Sequence, residues 1–149
     1  MIYIRSNGLE MRPIVVSDAL AIKSIRDECL EFIHDSKSYT LQETISWILS
    51  TDSKYLTVLI DNTVVGYFRI SNVTGTSCFV GMDLAKEYRG KGIAVSAYNL
   101  VLNELIKYGI KQFYLKVLKN NEHAIRLYSY LGFTEISDTD KDITMIKQI

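Results

Sequence analysis

Short apolar runs flank Asn7-Gly8 in the opening IYIRSNGLEMRPI and predict a β-hairpin, because Asn-Gly suits the positive φ angles of a tight turn. A helix is expected from Ser17-Asp18, which can cap it, carrying Leu20, Ile22, Ile25 and Leu30 towards Phe32. Thr40-x-x-Glu43 is a capping box ahead of Ile45, Trp47, Ile48 and Leu49, so a second helix starts there. Tyr55–Ile60 and Val64–Ile70 then read as two antiparallel strands joined at Asp61-Asn62.

The second half has a different rhythm. Cys78–Leu84 is a short strand, and Arg89-Gly90-Lys91-Gly92 leads into a long helical pattern. In it Ile93, Ala97, Val101 and Leu105 recur every four residues, with Ser96, Asn99, Asn103 and Lys107 on the opposite stripe. Gly109 can cap its end. Gln112–Leu118 alternates like a strand, and Asn121–Leu131 is a helix with Ala124, Leu127, Tyr128 and Leu131 on its apolar face. One or two more strands are expected around Thr134–Ile136 and Ile143–Ile146. Strand, long helix, strand makes a βαβ unit with a parallel pair. Since antiparallel strands precede it, the expected class is α/β (α+β), a mixed sheet with helices on its faces.

Composition narrows the function classes. The chain has 149 residues, a single proline (Pro13) and no linker-like stretch, so one domain over 1–149 is expected. Seventeen basic residues balance seventeen acidic ones, which gives no support for nucleic acid or an anionic membrane as partner. Two well-separated cysteines, Cys29 and Cys78, suit a reducing compartment and no zinc site. With no signal-peptide pattern and no long apolar run, a cytoplasmic protein without a metal is expected.

The stretch Leu84-Ala-Lys-Glu-Tyr-Arg-Gly-Lys-Gly-Ile-Ala94 carries the chemistry. A glycine-bearing loop leaves a strand and enters a helix, whose first N–H groups lack partners and favour an anion. Gly90 and Gly92 let a phosphate approach the backbone. A dinucleotide fingerprint from Gly90 would need a small residue where Val95 stands, and a P-loop would need Ser or Thr where Gly92 stands.

The pattern R-x-x-G-x-A, Arg89 through Ala94, resembles the acyl-CoA pyrophosphate loop of the GNAT superfamily of N-acetyltransferases. Asn121-x-x-Ala124-Ile-x-Leu-Tyr128-x-x-x-Gly132-Phe133 is similar to the second half of the same signature. The close resemblance runs from about Cys78 to Phe133; before it, Leu-Glu-Met-Arg-Pro and Val65-Gly66 match more loosely. It implies a GNAT-like sheet, mostly antiparallel, whose central parallel pair splays into a V that takes the pantetheine arm of acetyl-CoA. By position, Met82 and Leu84 would hold that arm, and Leu84 N–H would meet the oxyanion. Arg89, Gly90, Lys91, Gly92, Ile93 and Ala94 would hold the pyrophosphate, Asn121 would reach the cofactor, and Tyr128 would protonate the leaving thiolate. The strand glutamate common in the family has no counterpart in Cys78-Phe79-Val80-Gly81, so the base stays open between Asp83, His34, Asp35, Glu43 and water.

Each residue also has a plainer reading. Asn121 is a good N-cap residue, Tyr128 sits on an apolar stripe, Arg89 and Lys91 suit a solvated surface, and Trp47 and Cys78 suit a core. The resemblance implies direct acetyl transfer to a primary amine. Ser38–Trp47 is similar to relatives that modify amino-sugar nucleotides or ribosomal-protein N-termini, and the lack of an acidic groove favours the small amine. A non-catalytic acyl-CoA-binding module is the alternative, and a homodimer is compatible with the pattern.

Overall fold

The structure is a computed structural model that describes residues 2–149. Its strands are β1 (Ile4–Ser6), β2 (Leu9–Pro13), β3 (Lys54–Ile60), β4 (Thr63–Thr74), β5 (Ser77–Leu84), β6 (Gln112–Leu118), β7 (Thr134–Asp138) and β8 (Asp142–Gln148). The helices are α1 (Ala19–Asp27), α2 (Leu41–Ser50), α3 (Ile93–Lys107) and α4 (Glu122–Tyr130). One sheet joins all eight strands in the order β1-β2-β3-β4-β5-β6-β8-β7.

Local chemistry accounts for much of this. Asn7 and Gly8 have φ of 51° and 84°, and Asp61 and Asn62 have 47° and 67°. Positive φ at both central residues gives the turn whose twist suits a hairpin, so β1–β2 and β3–β4 close as expected. Thr40 and Glu43 form the reciprocal capping box at the start of α2, with Oγ1 of Thr40 accepting the Glu43 N–H at 3.1 Å.

The first helix departs from its sequence pattern. α1 stops at Asp27, and Leu30–Phe32 forms a separate 3-10 turn. The Arg26 guanidinium leaves the helix end to donate to the carbonyls of Asp35 and Lys37, and Nδ2 of Asn120 holds the Glu31 carbonyl at 3.2 Å. These ties set a new course for the chain. Asp18 does not cap α1 with its side chain; it turns back towards Arg12 and Thr57. Leu20 is 67% exposed, because the buried stripe runs through Ala19, Ile22, Ile25 and Cys29 and passes it by.

Helices cover both faces. On one, Ala97, Tyr98, Val101, Leu102 and Leu105 of α3 and Ala124 and Tyr128 of α4 pack with Phe68, Val80, Phe113 and Leu115 of the sheet. On the other, Ile22 and Ile25 of α1, with Cys29, pack on Tyr67, joined by Trp47 and Tyr55. The Trp47 ring meets Tyr55 edge-on at 4.5 Å. Among the described residues no helix is long and apolar enough to cross a membrane.

The sheet has one parallel pair, β5 with β6, and the two strands pair only at Ser77↔Gln112, Cys78↔Phe113 and Phe79↔Tyr114. Beyond Phe79 they diverge, while β5 stays paired with β4 as far as Gly66↔Leu84 and β6 stays paired with β8 along its whole length. The result is a V open towards Leu84 and Leu118. Gly66 keeps the V's outer edge in place: a Cβ there would lie 2.5 Å from the Asp83 carbonyl oxygen and 2.8 Å from Cδ2 of Leu84. Since the nearer obstacle is backbone, Gly66→Ala should destabilise the fold by about 1–3 kcal/mol. An unshifted denaturant midpoint would show that β4 and β5 can part at no cost.

Candidate active site

The loop that follows β5 makes a 3-10 turn at Lys86–Tyr88 and then passes through two left-handed glycines, Gly90 at φ 73° and Gly92 at φ 81°. Gly92 is the N-cap of α3 and brings no side chain to its N–H groups. The Ser96 N–H bonds back to the Gly92 carbonyl at 3.2 Å, so the N–H groups of Ile93, Ala94 and Val95 precede the first bonded turn. By contrast α2 is capped by Thr40, and α4 by Oδ1 of Asn121, which accepts the Ala124 N–H at 3.2 Å. No atom lies within 4 Å of a Cβ built on Gly90 or Gly92, so the loop is open on its outer side.

The edge of β5 that faces the V is also polar. The Ala85 N–H donates to the Val65 carbonyl at 2.8 Å, which fixes the phase of the antiparallel ladder with β4. Alternation then turns the main-chain groups of Met82 and Leu84 towards the gap. The Leu84 carbonyl is already engaged, accepting from Nε of Arg89 at 3.1 Å and from the Cys29 thiol at 3.6 Å. Arg89 also donates to the Glu28 carbonyl at 3.3 Å. Its side chain therefore fastens the loop to the end of α1, and only its backbone is left for the loop's inner rim. Lys91 is exposed, its ammonium 5.7 Å from the Tyr88 ring centre.

Tyr128 is carried by α4 on the opposite face of the sheet. Its ring packs edge-on against Tyr98 at 5.6 Å and Phe133 at 6.1 Å, and its hydroxyl accepts a hydrogen bond from the Tyr98 hydroxyl at 3.3 Å. Burial pushes the Tyr128 phenol up, the bond received from Tyr98 works against that, and Asp83 and Arg69 both act on it electrostatically. Both of those residues stand on the α1/α2 face of the sheet, across it from Tyr128.

The candidate bases separate clearly. Asp83 is half-buried on β5; desolvation pushes its carboxyl up, opposed by a hydrogen bond from Tyr67 and by Arg69, Arg26 and Arg89. His34 pairs with Asp142 at 3.0 Å, Asp35 takes the Tyr39 hydroxyl and the Lys37 N–H, and Glu43 completes the α2 cap. The His34–Asp142 pair links the α1–α2 segment to the β7–β8 turn. Beside it lies a cavity of about 580 Å³ lined by Leu30, Ile33, His34, Leu118, Lys141 and Asp142, among others. Leu118 puts this cavity at the open end of the V. Asp83 and Tyr128 do not line it.

Two residues of this region have no sequence motif of their own. Tyr98 is a hydroxyl-bearing aromatic on an otherwise aliphatic buried stripe, 1% exposed. Arg69 is brought to the site by strand register, as the partner of Gly81 on β5. Cys78 is a buried core residue as its sequence suggests, with burial pushing the thiol up to about 11. Among the described residues no cluster of three or more His, Cys, Asp or Glu side chains could hold a metal ion.

The chain is 31% identical over 97 residues to the acetyltransferase PseH of Campylobacter jejuni, a match covering 62% of this chain and 57% of that protein, so little more than half of the relative's length is spanned. Its fold is shared with RimL, a ribosomal alpha-N-protein acetyltransferase solved in complex with coenzyme A, at a TM-score of 0.89, 15% identity and coverage of 99% of this chain and 98% of that one. It is shared too with apo FdhC, described as a nucleotide-linked sugar GNAT, at a TM-score of 0.84, 21% identity and coverage of 99% and 90%. A model of the Acetyltransferase (GNAT) family matches residues 19–133, from the start of α1 through the β5–α3 loop to Phe133, and the chain belongs to that family.

Proposed function

We propose that the chain is an N-acetyltransferase of one domain that moves the acetyl group of acetyl-CoA directly to a primary amine of a small molecule, such as an amino-sugar nucleotide. The observation that carries this reading is the side-chain-free N-terminus of α3 at Gly92, placed beside the splayed edge of β5. The pyrophosphate would lie on the backbone from Arg89 to Ala94, the pantetheine arm along Met82 and Leu84, and the Asn121 amide would be near the cofactor while its Oδ1 caps α4. The amine lone pair attacks the thioester carbon, and the Leu84 N–H receives the developing oxyanion. The C–S bond breaks as the sulfur takes the Tyr128 proton. Asp83, on β5 beside the V, takes the proton that the amine loses, and solvent restores both groups.

The family match and the coenzyme A bound by RimL support the donor, and FdhC, as a nucleotide-linked sugar enzyme of the same fold, supports the acceptor class. A protein N-terminus is the other acceptor to include. The stretch Cys78-Phe79-Val80-Gly81, which carries no counterpart of the family's strand glutamate, favours a second reading, a domain that binds acyl-CoA without turning it over. Thiol release from acetyl-CoA across a panel of amines separates the two: a pure binder is stabilised by CoA and releases thiol with no amine.

Gly90→Val tests the loop. A β-branched residue at φ 73° is strained by about 1–2 kcal/mol, and relaxing it would turn the amides away from the phosphate. CoA should bind about tenfold more weakly, read by calorimetry; unchanged affinity would remove the loop from the binding site.

A further inference from the structure

Tyr55, Arg69 and Gly81 lie side by side on β3, β4 and β5, Tyr55 paired with Arg69 and Arg69 with Gly81. Tyr67 and Asp83, two residues along, share their face, because every second residue of a strand points the same way. Tyr67 is buried under α1, whereas Arg69 is exposed, so the helical cover ends between them. A glycine inside a strand weakens it and often marks a close approach. Here the absent side chain gives Arg69 its place: a Cβ on Gly81 would lie 2.8 Å from Nη2 of Arg69 and 3.4 Å from its Cζ. The guanidinium therefore lies across the β5 backbone, one strand-face step from Asp83.

Its charge is not spoken for. Arg12 is paired with Asp18 and Arg26 with Asp35, and Arg89 donates to two carbonyls, but Arg69 forms no ion pair among the described residues. Asp83 feels Arg69, Arg26 and Arg89 together. With Arg26 offset by Asp35 and Glu28 standing at the Arg89 end of this face, the Arg69 guanidinium is left outside every ion pair among the described residues.

We propose that Arg69, laid over Gly81 beside Tyr55, anchors an oxyanion of the acceptor, which is therefore a small amine that also carries a carboxylate or phosphate. This rests on the acetyl-transfer reading above. The planar fork of a guanidinium fits either group through two parallel hydrogen bonds. The strand rise puts Gly81 and Asp83 about 7 Å apart, which sets the order of the distance between the acidic group and the amine.

Two matched pairs test it with saturating acetyl-CoA: glucosamine 6-phosphate against glucosamine, and 6-aminohexanoate against 6-aminohexanamide. The charged partner should be preferred in at least one pair, and the pair that shows it identifies phosphate or carboxylate. In Arg69→Gln that preference, as a ratio of kcat/KM, should fall about tenfold or more, mainly through KM, and Arg69→Lys should keep part of it. Gly81→Ala displaces the guanidinium without removing its charge and should act in the same direction, which guards against a folding defect in one variant. Turnover without a charge preference, a preference unchanged in Arg69→Gln and Gly81→Ala, or an equal loss on charged and neutral partners overturns the anchor and leaves acetyl transfer standing. If CoA raises the Tm but none of the four amines is turned over, the small-amine reading falls and the anchor with it.

Discussion

Replacing Tyr128 by phenylalanine is expected to lower kcat by about a hundredfold, the lower end of what a positioned general acid contributes. The ring keeps its packing on Tyr98 and Phe133, so CoA affinity should stay close to that of the parent, while Tm should fall by the equivalent of about 1–3 kcal/mol because the buried Tyr98 hydroxyl loses its acceptor. The size of the effect follows from proton affinities. A thiol and a phenol have ordinary pKa values of about 8.5 and 10, so transfer from Tyr128 to a leaving thiolate is mildly uphill, and burial makes the phenol hold its proton more firmly. Tyr98 eases this by donating to the Tyr128 oxygen, which stabilises the phenolate left behind and leaves the Tyr128 proton free for the sulfur. The sign with pH is fixed as well. A raised phenol stays protonated through neutral and mildly alkaline pH, so no alkaline fall in kcat below about pH 10 should come from Tyr128. Single-turnover measurements that isolate the chemical step are the check: an unchanged rate in Tyr128→Phe takes the residue out of the mechanism.

How much of this was legible in the sequence depended on how local each cause is. The turns at Asn7-Gly8 and Asp61-Asn62, the Thr40 box and the strand Gln112–Leu118 are written in neighbouring residues, and the structure reproduces them. The loop from Arg89 to Ala94 and the helix carrying Tyr128 were legible as motifs, and the splay of β5 from β6 came with the resemblance. Long-range causes were not legible. The end of α1 at Asp27 depends on Arg26 reaching carbonyls of the following segment, and β4 runs on to Thr74 because β5 folds back along it. Arg89 looked like a surface or ligand cation, yet its guanidinium is spent on Leu84 and Glu28. Tyr98 and Arg69 acquire their meaning from partners 30 residues away on another helix and across a strand pair, which no spacing rule within one segment can reveal.

The largest loss of stability is expected from Asp18→Ala, about 3 kcal/mol by denaturant unfolding, since removing one partner of a buried pair costs about 3–5 kcal/mol and Arg12 can partly escape to solvent. Asp18 is 4% exposed and takes the Arg12 guanidinium through both oxygens, at 2.8 and 2.9 Å. Its Oδ2 also accepts from the Thr57 hydroxyl at 2.7 Å and the Val15 N–H at 3.0 Å. One carboxylate thus joins β2, β3 and the entry to α1, the helix that covers the acceptor face. Alanine would strand the hydroxyl of Thr57, which is 0% exposed, with no acceptor in its place. Asparagine keeps the shape and one acceptor and should cost about half as much. Burial alone pushes the Asp18 carboxyl up, but the bonds from Arg12, Thr57 and Val15 outweigh it and leave the group below its ordinary value. A lowered pKa in the folded state stabilises above the unfolded value of about 3.9 and ceases to do so as pH falls through the folded one. The gap between parent and Asp18→Asn should therefore be constant from pH 5 to 7, by the same linkage, and close progressively below about pH 4. A gap that persisted into strong acid would mean that the stability comes from the packing around Asp18 and not from its charge.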